Sequence, residues 1–146
     1  MIGKTLSHYE ISAKLGEGGM GEVYLAEDST LGRQVALKVL PSDLAGSQAR
    51  LERFQREART LAALDHPNIV HIYSVEEAEG IHFLTMQLVR GQQLSERIPA
   101  RGMPLREFFA VAAPLADALA AAHDKGITHR DLKPANVMID DEDRVK

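Results

Sequence analysis

The chain has 146 residues, 45% of them hydrophobic and 26% charged. This length suits one ordinary domain that buries roughly two-thirds of its unfolded surface, and the composition excludes disorder, collagen-like repeats and membrane spans. Seventeen basic against 21 acidic residues leave a net charge of −4, which argues against a broad basic face for nucleic-acid phosphates. The absence of cysteine removes disulfides, thiolate zinc sites and cysteine nucleophiles together, and it fits a reducing, cytoplasmic compartment.

Residues 1–7 read as a lead-in, because Lys4, His8 and Glu10 interrupt any apolar run before it reaches signal-peptide length. Tyr9, Ile11, Ala13 and Leu15 alternate with polar residues, the period-two pattern of a strand with one buried face. A glycine-rich break at Gly16 to Gly21 follows. Alternation resumes at Val23 and Leu25, and after a turn at Asp28 to Gly32 comes the run Val35 to Leu40, giving three antiparallel strands in succession. From Gln48 to Leu64 the period becomes helical, with Leu51, Phe54, Ala58, Leu61 and Leu64 on one stripe and His66-Pro67-Asn68 as the stop. Two further strands, Ile69 to Val75 and Ile81 to Val89, complete a five-stranded sheet with one helix.

Past Gly91 the chain turns helical. Pro104 opens a long helix with Leu105, Phe108, Phe109, Ala112, Leu115, Ala116 and Leu119 as its apolar stripe and Gly126 as its stop. Pro114 lies inside it, deletes a hydrogen bond and can cost about 3 kcal/mol, so a kink or break is expected between Ala110 and Pro114. Val137 to Ile139 and Arg144 to Lys146 read as a small hairpin around an acidic turn, Asp140 to Asp143, which lacks the alternate spacing and glycine of a calcium loop. The six histidines show no metal-ligand spacing.

Three features carry chemistry. Gly16, Glu17, Gly18, Gly19, Met20, Gly21 and Val23 fit G-x-G-x-x-G-x-V, and glycines are needed where backbone amides must approach phosphate oxygens closely. An ordinary glycine-rich hairpin or a dinucleotide-binding loop would read the same way, but the latter requires a helix straight after the glycines, and here a strand is predicted. Lys38 lies in a strand with apolar residues on both faces. It either snorkels out at a strand edge or meets a carboxylate. Glu57 stands three residues after Phe54 and four before Leu61, beside the apolar helical stripe, and is the expected partner. Finally, His129-Arg130-Asp131-Leu132-Lys133-Pro134-Ala135-Asn136 places a carboxylate, an ammonium and a carboxamide within one proline-stiffened loop. Asp131 can accept a hydroxyl proton, Lys133 can neutralise phosphate charge, and Asn136 can offer an oxygen to a divalent metal.

With these motifs in this order, the sequence resembles the eukaryotic-like protein kinases, and within them the bacterial serine/threonine kinases, from His8 onward. The resemblance implies an α+β, protein-kinase-like fold spanning 8–146: an N-lobe over about 8–90, a hinge over about 87–91, and the start of a helical C-lobe over 92–146. It implies ATP and Mg²⁺ as cofactors and a protein with a Ser or Thr hydroxyl as substrate. By the same resemblance the backbone of Gly16 to Gly21 covers the ATP phosphates, Lys38 contacts the α- and β-phosphates while paired to Glu57, and Asp131 is the catalytic aspartate. Lys133 lies near the γ-phosphate and Asn136 on Mg²⁺. Adenine is expected between the lobes, with Val23 and Ala36 as ceiling, Met138 as floor and Met86 as gatekeeper. The Gln87 carbonyl and Val89 amide would read its edge. Gln87 replaces the acidic residue common at this position, which should alter inhibitor preference more than ATP binding.

No D-F-G, A-P-E or activation segment occurs within the 146 residues. Phosphate transfer needs the metal-holding aspartate of D-F-G, so the chain alone is expected to be inactive, and any membrane anchor would lie beyond Lys146. The rival reading is a stand-alone nucleotide-binding or regulatory module that catalyses nothing; a dinucleotide-dependent oxidoreductase ranks behind both. The apolar stripe of the long helix is expected to be partly exposed and to drive self-association.

Overall fold

Antiparallel pairing starts earlier than the alternation at Tyr9. Thr5–Leu6 form a two-residue strand, β1, that turns at Ser7 (φ 56°) and folds back on Tyr9 and Glu10 of β2 (Tyr9–Gly18). The computed structural model describes residues 1–18, 21–127 and 132–146. They divide into two compact units, Met1–Ala62 with His71–Leu88, and Ala63–Val70 with Val89–Lys146.

The first unit adds β3 (Gly21–Asp28), β4 (Arg33–Val39), β5 (Ile72–Ala78) and β6 (Ile81–Met86) in a six-stranded antiparallel sheet of order β1-β2-β3-β4-β6-β5. The lead-in thus supplies a sixth strand to the five expected. Two residues are too few to display a period, so pattern alone could not reveal it. The β3–β4 turn is built by Asp28, whose buried Oδ1 accepts the N–H groups of Thr30 (2.9 Å) and Leu31 (3.0 Å).

One sheet face makes the core: Leu6, Tyr9, Ile11, Tyr24, Ala26, Val35, Leu37 and Phe83 are buried together. Each large apolar side chain removed from water here stabilises the fold by about 1.5–3 kcal/mol. The fully buried Thr85 shares a 2.6 Å hydrogen bond with Ser74 directly across the ladder, and the Tyr9 hydroxyl donates to Glu76 at 3.1 Å, so polar groups beside the core are satisfied. A short helix, α1 (Ser42–Ala45), precedes α2 (Gln48–Ala62), which lies against β5. Of the α2 stripe only Ala58 is fully buried; Leu51, Phe54 and Leu61 are half-buried.

In the second unit, β7 (Gly91–Gln93) pairs antiparallel with β8 (Met138–Asp140), and α3 (Leu94–Arg97) follows β7 directly. Leu94, Val137, Ile139 and Val145 form its core, with Val111 and Leu115 of α4 (Leu105–Asp124) packed against them. The 63–70 segment belongs here because the Asn68 side-chain amide donates to the Val145 carbonyl at 2.9 Å, while His66 Nδ1 accepts the Asn68 N–H at 3.0 Å. The expected closing hairpin forms, with Met138 and Lys146 exchanging main-chain hydrogen bonds (3.1 and 2.8 Å) beside the Ile139↔Val145 bridge, and β8 takes a second partner in β7. The acidic run is a closed turn: Asp140 Oδ1 accepts the N–H groups of Glu142 (2.9 Å) and Arg144 (2.8 Å).

Of the expectations about the long helix, the break fails and the partial exposure of the apolar stripe holds. α4 is continuous through Pro114; the carbonyl that loses its partner belongs to Ala110, which is exposed and free to bond water, so no break follows. Its apolar stripe is partly exposed, with Leu115 on the core and its N-terminal members in water. Ala118 and Ala122 are buried and Val111 and Leu115 reach the core, whereas Leu105 (74%), Phe108 (49%) and Phe109 (60%) are exposed. Among the described residues no helix is long and apolar enough to cross a membrane.

Candidate active site

The glycine-rich segment is a hairpin. Gly16↔Val23, Glu17↔Glu22 and Gly18↔Gly21 are cross-strand pairs, and Gly19 and Met20 at the tip lie outside the described residues. A strand, not a helix, follows Gly21, which removes the dinucleotide-loop reading. Gly21 has φ +115°, and a Cβ there would stand 2.1 Å from the Val39 carbonyl oxygen, so backbone conformation and close approach to β4 both demand glycine.

Glu17 and Glu22 face one another directly, an arrangement that destabilises a ladder unless neutralised. Lys14 neutralises it, with Nζ 2.5 Å from Glu17 and 3.4 Å from Glu22, and the Tyr24 hydroxyl donates to the Glu22 carboxylate. The Tyr24 hydrogen bond, followed by that of Lys14, holds the Glu22 carboxyl below the usual carboxylate range. The Glu17 hydrogen bond raises the Lys14 ammonium, and Glu22 pushes the Tyr24 phenol up.

Next to the hairpin, register puts the predicted nucleotide residues on one sheet face. Val23, Lys38 and Leu84 form one cross-strand row, and Leu25, Ala36 and Met86 form the next. Residues directly opposite share a face, so Lys38 is flanked by Val23, Ala36 and Met86 on the face opposite the core. Lys38 is half-buried in a central strand, not at an edge. Its expected ion pair with Glu57 is not among those formed between the described residues. Glu57 Oε1 instead accepts from Arg53 Nε at 3.2 Å, one helical turn away, with its side chain 44% exposed. An i,i+4 arginine is always within reach of a helix carboxylate.

Past Met86 the β5–β6 ladder ends at Gln87, whose N–H donates to the His71 carbonyl at 2.8 Å and whose Oε1 accepts the His71 N–H at 3.4 Å. Gln87 belongs to the first unit and Val89 to the second.

In the second unit Asp131 lies outside the described residues, as do His129 and Arg130. Lys133 is extended (φ −153°, ψ 161°), and its carbonyl accepts the Asn136 N–H at 2.9 Å across a 3-10 turn, Pro134–Asn136. Lys133 and Asn136 are exposed, while Val137, the next residue, is buried and anchors the turn, with half-buried Met138 beginning β8. The Asn136 carboxamide oxygen is a hard donor of the kind Mg²⁺ accepts, and Mg²⁺ completes its shell with waters and phosphate oxygens. Among the described residues no three acidic or imidazole side chains are grouped as a ready metal site.

Gly91 escaped sequence reasoning. A Cβ there would stand 2.0 Å from the Ile139 carbonyl oxygen, so glycine is what lets β7 close on β8. A lone glycine opening a strand is the only sequence signal of such an approach. The bracing of the hairpin by Lys14 and Tyr24 was also missed; the register that brings them together passes through two irregularities in β2, between Ile11 and Ala13 and between Lys14 and Gly16.

The model of the protein kinase domain matches residues 9–146. The serine/threonine-protein kinase PrkC of Bacillus subtilis is 44% identical over the whole chain, which spans 23% of that protein. Pkn2 of Myxococcus xanthus is 47% identical over 90% of the chain and 16% of its own length. The crystal structure of the PknI kinase domain of Mycobacterium tuberculosis superposes with a TM-score of 0.85 at 35% identity, covering 99% of this chain and 59% of that one. The chain therefore spans less than a quarter of these curated relatives and about three-fifths of a kinase domain. The hairpin, the lysine row and the kinase-domain match lead to one conclusion: the chain belongs to the protein kinase family, among its bacterial serine/threonine members.

Proposed function

We propose that the chain carries nucleotide-binding and phosphoryl-transfer residues of an ATP- and Mg²⁺-dependent serine/threonine protein kinase. The observation that carries this reading is the single sheet face on which Lys38 is flanked by Val23, Ala36 and Met86, next to a glycine hairpin. An ammonium among apolar walls beside unobstructed backbone amides suits a ligand with a flat apolar base and a polyphosphate.

In this reading the amides of Gly16 to Gly21 and the Lys38 ammonium bind the phosphates. Val23, Ala36 and Met138 pack on adenine, Met86 limits the depth of its site, and the Gln87 carbonyl and Val89 N–H pair with its edge. Asp131 orients the substrate hydroxyl and takes its proton as the oxygen bonds to the γ-phosphorus and the bond to the β–γ bridging oxygen breaks, releasing ADP. Lys133 balances charge on the transferred group. Asn136 would hold Mg²⁺, which when bound neutralises charge on the β- and γ-phosphate oxygens. Glu57 would leave Arg53 to orient Lys38.

Because these 146 residues include no D-F-G aspartate, we propose that on their own they bind nucleotide without transferring phosphate at a useful rate. The Arg53–Glu57 pair favours the related second reading, a regulatory nucleotide-binding module. The test is transfer of labelled phosphate from ATP to a generic basic protein, with Asp131→Asn as the control. Background-level transfer by both is expected; transfer that the variant abolishes would overturn the inactivity of the isolated chain while supporting Asp131 as its base.

A further inference from the structure

The glycine hairpin is held from the sheet face that the nucleotide row does not use. Tyr24 is buried in the core, and Glu22, two residues before it on β3, shares its face. Lys14 pairs directly with Tyr24, and Glu17 with Glu22, so all four side chains stand on the core face, opposite Val23 and Lys38. In a regular strand Lys14 and Glu17, three residues apart, would point to opposite faces. Leu15 is the extra residue of β2 between the pairs Lys14↔Tyr24 and Gly16↔Val23, and this irregularity brings both charges to one side. It also sets Gly16 opposite Val23, on the nucleotide face. The bonds run as a chain: the Tyr24 hydroxyl donates to Glu22 Oε2, Lys14 Nζ donates to Glu22 Oε1 at 3.4 Å, and the same ammonium donates to Glu17 Oε2 at 2.5 Å. Of these three bonds, the one between Lys14 and Glu22 crosses from β2 to β3.

We infer that Lys14 and Glu22 are positioning residues that close the glycine hairpin from behind and hold its backbone amides in place for a polyphosphate; this rests on the proposed nucleotide site. Two carboxylates directly opposite one another push the hairpin strands apart unless a cation lies between them. Gly16, Gly18 and Gly21 supply no side-chain packing to resist that push. Tyr24, fixed by the core, aims the Glu22 carboxylate, and Lys14 ties it to Glu17 on the other strand. An exposed ion pair adds little to global stability, and Lys14, Glu17 and Glu22 are all partly in water. The effect is therefore local to the hairpin, where amides already in place bind phosphate without the entropy loss of ordering them.

The experiment measures binding of ATP, and of adenosine, which lacks the phosphates, to the wild-type chain, Lys14→Met, Glu22→Met and Lys14→Arg. The two methionine variants change the local charge in opposite directions, so a long-range charge effect would weaken ATP binding in one and strengthen it in the other. Loss of the clamp should weaken ATP binding in both, about twofold to fivefold, and leave adenosine within about twofold. Lys14→Arg, which can still bridge both carboxylates, should match the wild type. Opposite or absent changes in the methionine variants, an equal loss for ATP and adenosine, or a loss shared by Lys14→Arg overturns the inference and leaves the nucleotide site standing. A wild type that fails to bind ATP overturns the site and the inference together. A readout that needs no nucleotide is amide hydrogen exchange within Gly16–Gly18, which should quicken in both methionine variants and stay at the wild-type rate in Lys14→Arg. If a methionine variant unfolds, unprotected exchange within Gly16–Gly18 of the folded wild type would still contradict a hairpin held closed by the clamp.

Discussion

At Gly21 two independent constraints meet, a left-handed φ and a carbonyl of β4 where a Cβ would stand. Gly21→Ala must rotate the backbone or push Val39 away, at a cost of about 1–3 kcal/mol, read as a fall in melting temperature of roughly 3 °C per kcal/mol for a chain of this size. An unchanged melting curve would show that the hairpin yields there freely. The Lys14 bridge makes a pH prediction. Glu22 is depressed, so the stability it contributes is present above the ordinary carboxylate value and is lost as pH falls through its lowered one. Lys14 is raised, so its contribution is present below the ordinary lysine value and is lost as pH climbs through its elevated one. Lys14→Met should return the Glu22 titration, followed by NMR of its side-chain carbon, most of the way only if the Tyr24 bond is lost as well. Tyr24, the larger cause, must hold the carboxyl below its usual range in the single variant.

Among elements, the β7–β8 pair depends most on one small residue. Gly91→Ala would drive a methyl into the Ile139 backbone and cost about 1–3 kcal/mol as overpacking. Circular dichroism melts should show the loss, and faster amide exchange at Ile139 and Gln93 should localise it. This strand pair also marks where sequence reasoning stops. The β2–β3 hairpin was legible because its strands write a period of two, and β4 as a continuous apolar run, buried on both faces, against which the charge of Lys38 stood out. β1, β7 and β8 are two or three residues long, too short for any period, and β7 and β8 find each other from remote places in the sequence. The partial exposure of the α4 stripe was legible too, but not which of its residues reach the core, because the tertiary partners Leu94, Val137 and Ile139 select Val111 and Leu115. Glu57 is held on α2 by a local arginine, since pattern reports proximity to a stripe and not which cation a carboxylate meets.

For the molecule as a whole, the residues of α4 that face water decide its behaviour in solution. Leu105, Phe108 and Phe109 are exposed within two turns, and the two phenylalanine rings stack edge-on at 5.3 Å between centroids. Such a patch favours association, so sedimentation should find oligomers that Leu105→Gln with Phe109→Gln disperses; a monodisperse wild-type monomer would contradict this. The central claim is that Lys38 and the glycine hairpin form a nucleotide site, and it is tested most directly by thermal denaturation with ATP, with and without Mg²⁺. A ligand at one hundred times its Kd stabilises the folded state by about 2.7 kcal/mol. The wild type should therefore melt several degrees higher with saturating ATP and Mg²⁺, and Lys38→Met should lose most of that rise. No shift in the wild type, or an equal shift in Lys38→Met, would contradict the account.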